Sequence, residues 1–202
     1  MYIPDRIADG YGISKNSIDY FFKKNVKFVI ALDCGTNDYE NISYAKKKGI
    51  DIIVIDHHEV KNLGQPLNII NPKLEYDDSG LDSLCTVGLT FLFIIALNRA
   101  LREIKFFKDK NEPDLKYFLD LVALGTICDL VPLENVNRLL VKKGLDILNQ
   151  NSNLGLKILI NKLELRGKVK ASDLAFYIGP CINAAGRIGN SRLGFNLLIN
   201  DN

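Results

Sequence analysis

The sequence predicts an α/β fold: a parallel sheet flanked by helices, leading into a mainly helical region. Three observations support that class. Two apolar, β-rich runs, 27–32 and 51–55, bracket one helical segment, which is the spacing of a βαβ unit. From about residue 87 onward the chain reads as successive helices. The 202 residues are 47% hydrophobic and 25% charged, which excludes a disordered tail or a fibrous repeat and is enough for one large domain or two small ones.

In chain order, Tyr2-Ile3-Pro4 reads as the end of a strand. Asn16 to Lys24 reads as a short helix carrying Ile18, Phe21 and Phe22, with Asn16 as its N-cap. Lys27 to Leu32 has the pattern of a strand buried on both faces. Asn37-Asp38-Tyr39-Glu40 supplies an N-cap and acidic first-turn residues for a helix that runs to Lys48 and stops at Gly49. Asp51 to Ile55 is a second buried strand, parallel to the first. Asn68-Ile69-Ile70 is a short third strand and 73–83 a polar loop. Helices are then expected at 87–108, 115–124, 137–149, 156–163, 172–178 and 193–199, with Gly155 and Gly167 as breaks.

Charge narrows the function classes only a little. Lys plus Arg is 26 and Asp plus Glu is 24, a net charge of +2 that neither demands nor excludes nucleic acid. Cys34, Cys85, Cys128 and Cys181 are scattered, without a Cys-x-x-Cys pair, which argues against a zinc ribbon or a thioredoxin-like site and for a reducing cytoplasm. Leu84 to Leu97 is the longest largely apolar run and is too short to span a bilayer, so it is expected to be a buried helix, with no membrane association.

The two parallel strands end in Asp33-Cys34-Gly35 and Asp56-His57-His58, the latter holding the only two histidines. Neighbouring strands lie about 4.8 Å apart, so these ends meet at one edge of the sheet, the edge where open α/β sheets bind ligands. Carboxylate oxygens with an imidazole suit Mn²⁺, and Asp33 could bridge two ions able to activate water against a phosphoryl group. Helix capping by the aspartates and a structural histidine are the plainer alternatives, and the residues alone leave both open. Asp129 is a lone acid in the apolar stretch Leu124 to Pro132, either a metal ligand or a solvated helix terminus. In Gly179-Pro180-Cys181-Ile182-Asn183-Ala184-Ala185-Gly186-Arg187 the small residues permit close backbone approach and Arg187 could fork onto a phosphate; a tight helix contact with an exposed Arg explains the segment equally well.

Taken in order, these segments resemble the DHH phosphoesterase superfamily, and within it the RecJ-type single-strand-DNA exonucleases. The resemblance spans nearly the whole chain. It includes Tyr2-Ile3-Pro4-Asp5-Arg6, Gly10-Tyr11-Gly12, Asp33-Cys34-Gly35, Asp56-His57-His58, Ile70-Asn71-Pro72 and Val87-Gly88. It continues through Leu121-Val122-Ala123-Leu124-Gly125-Thr126, Asp129 with Val131-Pro132-Leu133, Asn137-Arg138, and Asn183-Ala184-Ala185-Gly186-Arg187. Asp-His-His alone is a weak signal; the ordered set is a strong one.

The resemblance implies two Mn²⁺ (or Mg²⁺) ions in the complete protein, with Asp33 bridging and His57 and Asp129 as terminal ligands. Asp56 would support the site from beside or behind, His58 would touch the scissile phosphate, and Asn183 and Arg187 would contact substrate. It implies 5′ to 3′ hydrolysis of single-stranded DNA in repair or recombination, with repair or replication proteins as candidate partners. Related chemistries, on short oligonucleotides, cyclic dinucleotides or pyrophosphate, and a binding-only module are the alternatives. The implied organisation is an α/β core over 1–133 and a helical connector over 134–202. The chain departs from the family in three ways. It lacks the Asp-x-Asp-x-Asp-Gly motif, imitated only superficially by Asp5, Asp9 and Gly10; Cys181 stands where Arg is usual; and Thr86-Val87 replaces a small pair. The missing motif leads to the expectation of a fragment lacking part of its carboxylate shell, with weak or no catalysis of its own.

Overall fold

The computed structural model describes residues 1–4, 10–61, 68–150, 153–187 and 192–199. Packing divides the chain into two compact units, Met1–Leu89 and Thr90–Asn202. The division falls within helix α3 (Thr86–Glu103), upstream of the 133/134 boundary expected from the sequence, and Ala123, Leu124 and Ile127 of α4 (Leu119–Cys128) belong to the helical core of the second unit.

The first unit holds α1 (Lys15–Lys23), β1 (Phe28–Leu32), α2 (Tyr39–Lys47), β2 (Asp51–Ile55) and β3 (Ile69–Ile70). The strands form a parallel sheet in the order β1-β2-β3, with Leu32 opposite Ile55 and Ile55 opposite Ile70, so all three C-terminal ends share one rim. Ala31, Ile52 and Val54 pack on one sheet face against Ile13, Ile18, Ile42, Ala45 and Ile50. Each isoleucine or valine among them contributes about 1.5–3 kcal/mol when fully buried. β1 is not buried on both faces as expected: Phe28, Ile30 and Leu32 are exposed, since no described element covers that side.

Helix starts differ from the expected ones for a common reason. Ser14, not Asn16, caps α1, in a reciprocal box in which Ser14 Oγ accepts from Ser17 N–H (3.1 Å) and Ser17 Oγ from Ser14 N–H (3.2 Å). Neither Asn37 nor Asp38 caps α2 with its side chain, because both are committed elsewhere. Asp38 Oδ2 accepts from Ile13 N–H at 2.7 Å, and Asn37 bridges Glu59 and Lys61. Residues 1–4 are not in a strand, and Asp5, Arg6 and Asp9 lie outside the described residues.

The second unit is helical. α3 ends at Glu103, short of 108, because Lys105 turns left-handed (φ 59°) and Phe106 N–H donates back to Leu101 O at 2.9 Å. Leu84, Leu89 and Phe91 are buried, but Ile95 and Leu97 are exposed, so the apolar run is buried only in its first half. A 3₁₀ turn, Leu115–Phe118, leads into α4, followed by α5 (Asn135–Leu148), α6 (Leu154–Lys162), a short turn α7 (Ala171–Asp173), a π-helical turn (Leu174–Ile178), α8 (Gly179–Arg187) and α9 (Arg192–Ile199). Gly155 is not a break. It lies inside α6, where a Cβ would stand 1.7 Å from Leu197 O, so it permits close approach of α9. The helix expected to end at 178 continues into α8. Its widened turn sits just before Pro180, which cannot donate to the preceding turn.

Candidate metal centre

β1 and β2 deliver their terminal aspartates to the same rim. Asp33 N–H extends the ladder to Ile55 O, and Asp56 N–H extends it to Ile70 O, each at 3.0 Å. Asp33 then adopts a left-handed backbone (φ 62°), a conformation that Asp tolerates better than most residues but that still costs about 1–2 kcal/mol. Gly35, at φ 110°, completes the turn; a Cβ there would meet Val54 Cγ2 at 2.9 Å.

At this rim Asp33 Oδ1 lies 3.6 Å from His57 Nε2. The Asp33 carboxylate is 56% exposed and the His57 ring only 13%. Asp33, His57 and His58 each offer one ligand atom, and these atoms lie within 4.8 Å of one another. One carboxylate oxygen with imidazole nitrogens at this spacing is a donor set that fits a divalent ion such as Mn²⁺. Tyr11, between the left-handed Gly10 and Gly12, donates its hydroxyl to Asp33 O, and that hydroxyl is 3.4 Å from His58 Nε2.

Asp56 has a different task. Buried at the foot of the site, its Oδ1 accepts from His57 N–H (2.8 Å), His58 N–H (3.3 Å) and His58 Nδ1 (2.6 Å), while Oδ2 accepts from Thr36 N–H (3.1 Å) and Thr36 Oγ1 (2.7 Å). A carboxylate offers about four lone-pair sites, and these contacts fill them. Burial alone would push the Asp56 carboxyl up; the Thr36 and His58 side chains and the backbone N–H groups outweigh burial and hold it below its ordinary value. Next to it, burial pushes the Cys34 thiol up to about 12, helped by the negative field of Asp56, Asp38 and Asp33. That field favours a cation at the rim.

The geometry thus brings together Asp33, Asp56, His57 and His58 in the first unit. Asp129, Asn183 and Arg187 belong to the second. Asp129 caps the C-terminus of α4, with its N–H on Gly125 O at 2.9 Å and a left-handed Leu130 (φ 59°) after it. Asn183 is exposed on α8, which Arg187 closes. Gly179 makes a tight helix contact, a Cβ there falling 2.4 Å from Cys128 Sγ. Three participants carried no assigned role from sequence: Tyr11, Thr36 and Asn71. Thr36 and Asn71 each stand just past a strand end on the same rim, which is the signal that could have found them.

A parallel sheet with an Asp at one strand end and Asp-His-His at the next places the chain in a definite structural class, and comparison with known families agrees. Residues 1–126 match the DHH family, N-terminal domain, and the chain belongs to that family. Among curated proteins it is similar to the single-stranded-DNA-specific exonuclease RecJ of Haemophilus influenzae (36% identity over 98% of this chain and 35% of that protein) and of Escherichia coli (36% identity, 99% and 36%). The chain therefore spans about a third of the length of these relatives. Among solved structures it is similar to exonuclease RecJ bound to manganese (31% identity, TM-score 0.83, 98% of this chain and 48% of that one). It is also similar to RecJ of Thermus thermophilus in complex with Mn²⁺ (29% identity, TM-score 0.77, 93% and 27%).

Proposed function

We propose that this chain carries the metal-binding rim of a RecJ-like exonuclease that hydrolyses phosphodiesters of single-stranded DNA from the 5′ end, in a cytoplasmic repair or recombination setting. The convergence of Asp33 and His57 above a fully engaged Asp56 carries the proposal. Asp33 and His57 would hold a divalent ion, Mn²⁺ or Mg²⁺, and Asp129 would be a further ligand. Bound ions of this kind lower the pKa of an attacking water and neutralise charge on the phosphoryl oxygens. Asp56 holds both histidines in place without leaving its buried position. His58, its Nδ1 taken by Asp56, presents Nε2 toward a phosphate oxygen. Asn183 and Arg187 supply substrate contacts, Arg187 by a forked hydrogen bond.

The test is nucleotide release by the whole protein with Mn²⁺ on long single-stranded DNA, duplex DNA and dinucleotides. Preference for the long single strand, abolished by Asp129→Ala, is expected. Equal or better turnover of dinucleotides would assign the site to a different phosphodiester substrate, and persistence of cleavage in Asp129→Ala would remove that residue from the ligand set.

A further inference from the structure

We infer that Asn71 is a positioning residue: its side-chain amide ties together the loops after all three strands and, through Thr36, holds Asp56 in the orientation that aims the His58 ring. Asn71 follows β3 and is buried, as are Thr36 and Asp56. One amide N–H of Asn71 donates to Thr36 Oγ1 at 2.9 Å, and Nδ2 also reaches His58 O at 2.9 Å. Its Oδ1 accepts from Lys73 N–H at 2.9 Å, so every polar atom of the side chain is engaged.

Donor and acceptor identities give this chain of hydrogen bonds a direction. An amide NH₂ only donates, and a hydroxyl has a single proton. Thr36 Oγ1, accepting from Asn71, therefore turns its proton to Asp56 Oδ2, 2.7 Å away. Asp56 is then held on one oxygen by Thr36 and presents the other to His58 Nδ1 at 2.6 Å. The second Asn71 hydrogen bond fixes the His58 backbone. Ring and main chain of His58 are thus located by two routes that start at one side chain. In catalysis, the consequence rests on the proposed function; the hydrogen-bond chain itself does not.

Asn71→Asp keeps the shape and the Lys73 contact but replaces both donors by acceptors, so Thr36 would turn its proton to residue 71 and His58 O would face an oxygen. With only two histidines in the chain, the imidazole N–H protons can be observed individually by ¹H–¹⁵N spectroscopy of the metal-free protein. The unaltered chain is expected to show one downfield, exchange-protected Nδ1 proton from His58. Asn71→Asp should lose it while the β1 and β2 amide signals persist. Asn71→Ser, uncharged and too short to reach both acceptors, should broaden or shift it, and serves if the Asp variant does not fold. An unchanged proton in a folded variant overturns the inference. In the whole protein Asn71→Asp should lower kcat on single-stranded DNA by about 10–100-fold with KM little changed, the range for partners standing behind metal ligands. If the unaltered protein fails to cleave DNA, the proposed function falls, while the spectroscopic result still decides the role of Asn71.

Discussion

Replacing Thr36 with Val keeps a β-branched side chain in a buried position and removes one hydroxyl. The loss is specific. Asp56 Oδ2 forfeits its 2.7 Å hydrogen bond and retains Thr36 N–H at 3.1 Å; Asn71 retains His58 O but one of its N–H groups is left without an acceptor. A hydrogen bond to a charged group contributes about 1.5–3 kcal/mol, and an orphaned buried donor costs about 1–3 kcal/mol. The two overlap, and the added methyl recovers up to ~0.8 kcal/mol, so a destabilisation of about 3 kcal/mol is expected. With a urea slope of ~2 kcal/mol/M, the midpoint followed through β1 and β2 amide signals should fall by about 1.5 M. Thr36→Ser, which keeps the hydroxyl, should fall by much less. A shift below ~0.5 M for Thr36→Val would overturn the role given to the hydroxyl. The acid side gives an independent check. The Asp56 carboxyl lies below its ordinary 3.8 in the folded protein, so its contribution is present above that value and is lost as pH falls through the folded one. Without the Thr36 hydroxyl, the first of the hydrogen bonds that oppose burial, the Asp56 carboxyl rises toward its ordinary value and the acid-dependent part of the stability should shrink.

Gly144→Ala should destabilise the α4–α5 pair by about 3 kcal/mol, read as a lowered melting temperature, because the new Cβ would stand 2.1 Å from Leu119 O and 2.5 Å from Ala123 Cβ. Cys34, with its thiol pushed up to about 12, should resist alkylation at pH ~8 while the exposed Cys181 is modified; mass spectrometry of the digest reads both, and rapid modification of Cys34 in the folded chain would contradict the assigned burial and field. Mn²⁺ at about 100-fold its dissociation constant should stabilise the folded protein by about 2.7 kcal/mol, and Asp33→Asn should remove most of the thermal shift; an undiminished shift would place the ion elsewhere.

The sheet rim was legible in the sequence because strand ends are marked by chemistry as well as by period: apolar runs stop at Asp33 and Asp56, and parallel pairing sends both to one edge. Asp129 and Arg187 stand out locally, as a lone acid in an apolar stretch and a guanidinium after small residues, but only the resemblance assigns them, with Asn183, to metal and substrate. Roles that depend on the folded surroundings were not legible. Asn37 and Asp38 look like caps in one dimension but bond across the fold to Glu59, Lys61 and Ile13. Gly155 has the signature of a break and is instead a point of helix contact. Thr36 and Asn71 are separated by 35 residues, and only the sheet brings them within 2.9 Å. The exposed side of β1 was misjudged because an apolar run reports burial tendency, not which faces the described chain covers.

Whether a divalent cation is held where Asp33 and His57 converge can be decided by anomalous diffraction from Mn²⁺-soaked crystals of the whole protein. A manganese peak is expected about 2–2.6 Å from both Asp33 Oδ1 and His57 Nε2, with Asp56 still bound to Thr36 and His58 and not to the ion. A peak that contacts neither side chain, or an Asp56 swung out to bind the ion, would be incompatible with the rim as described.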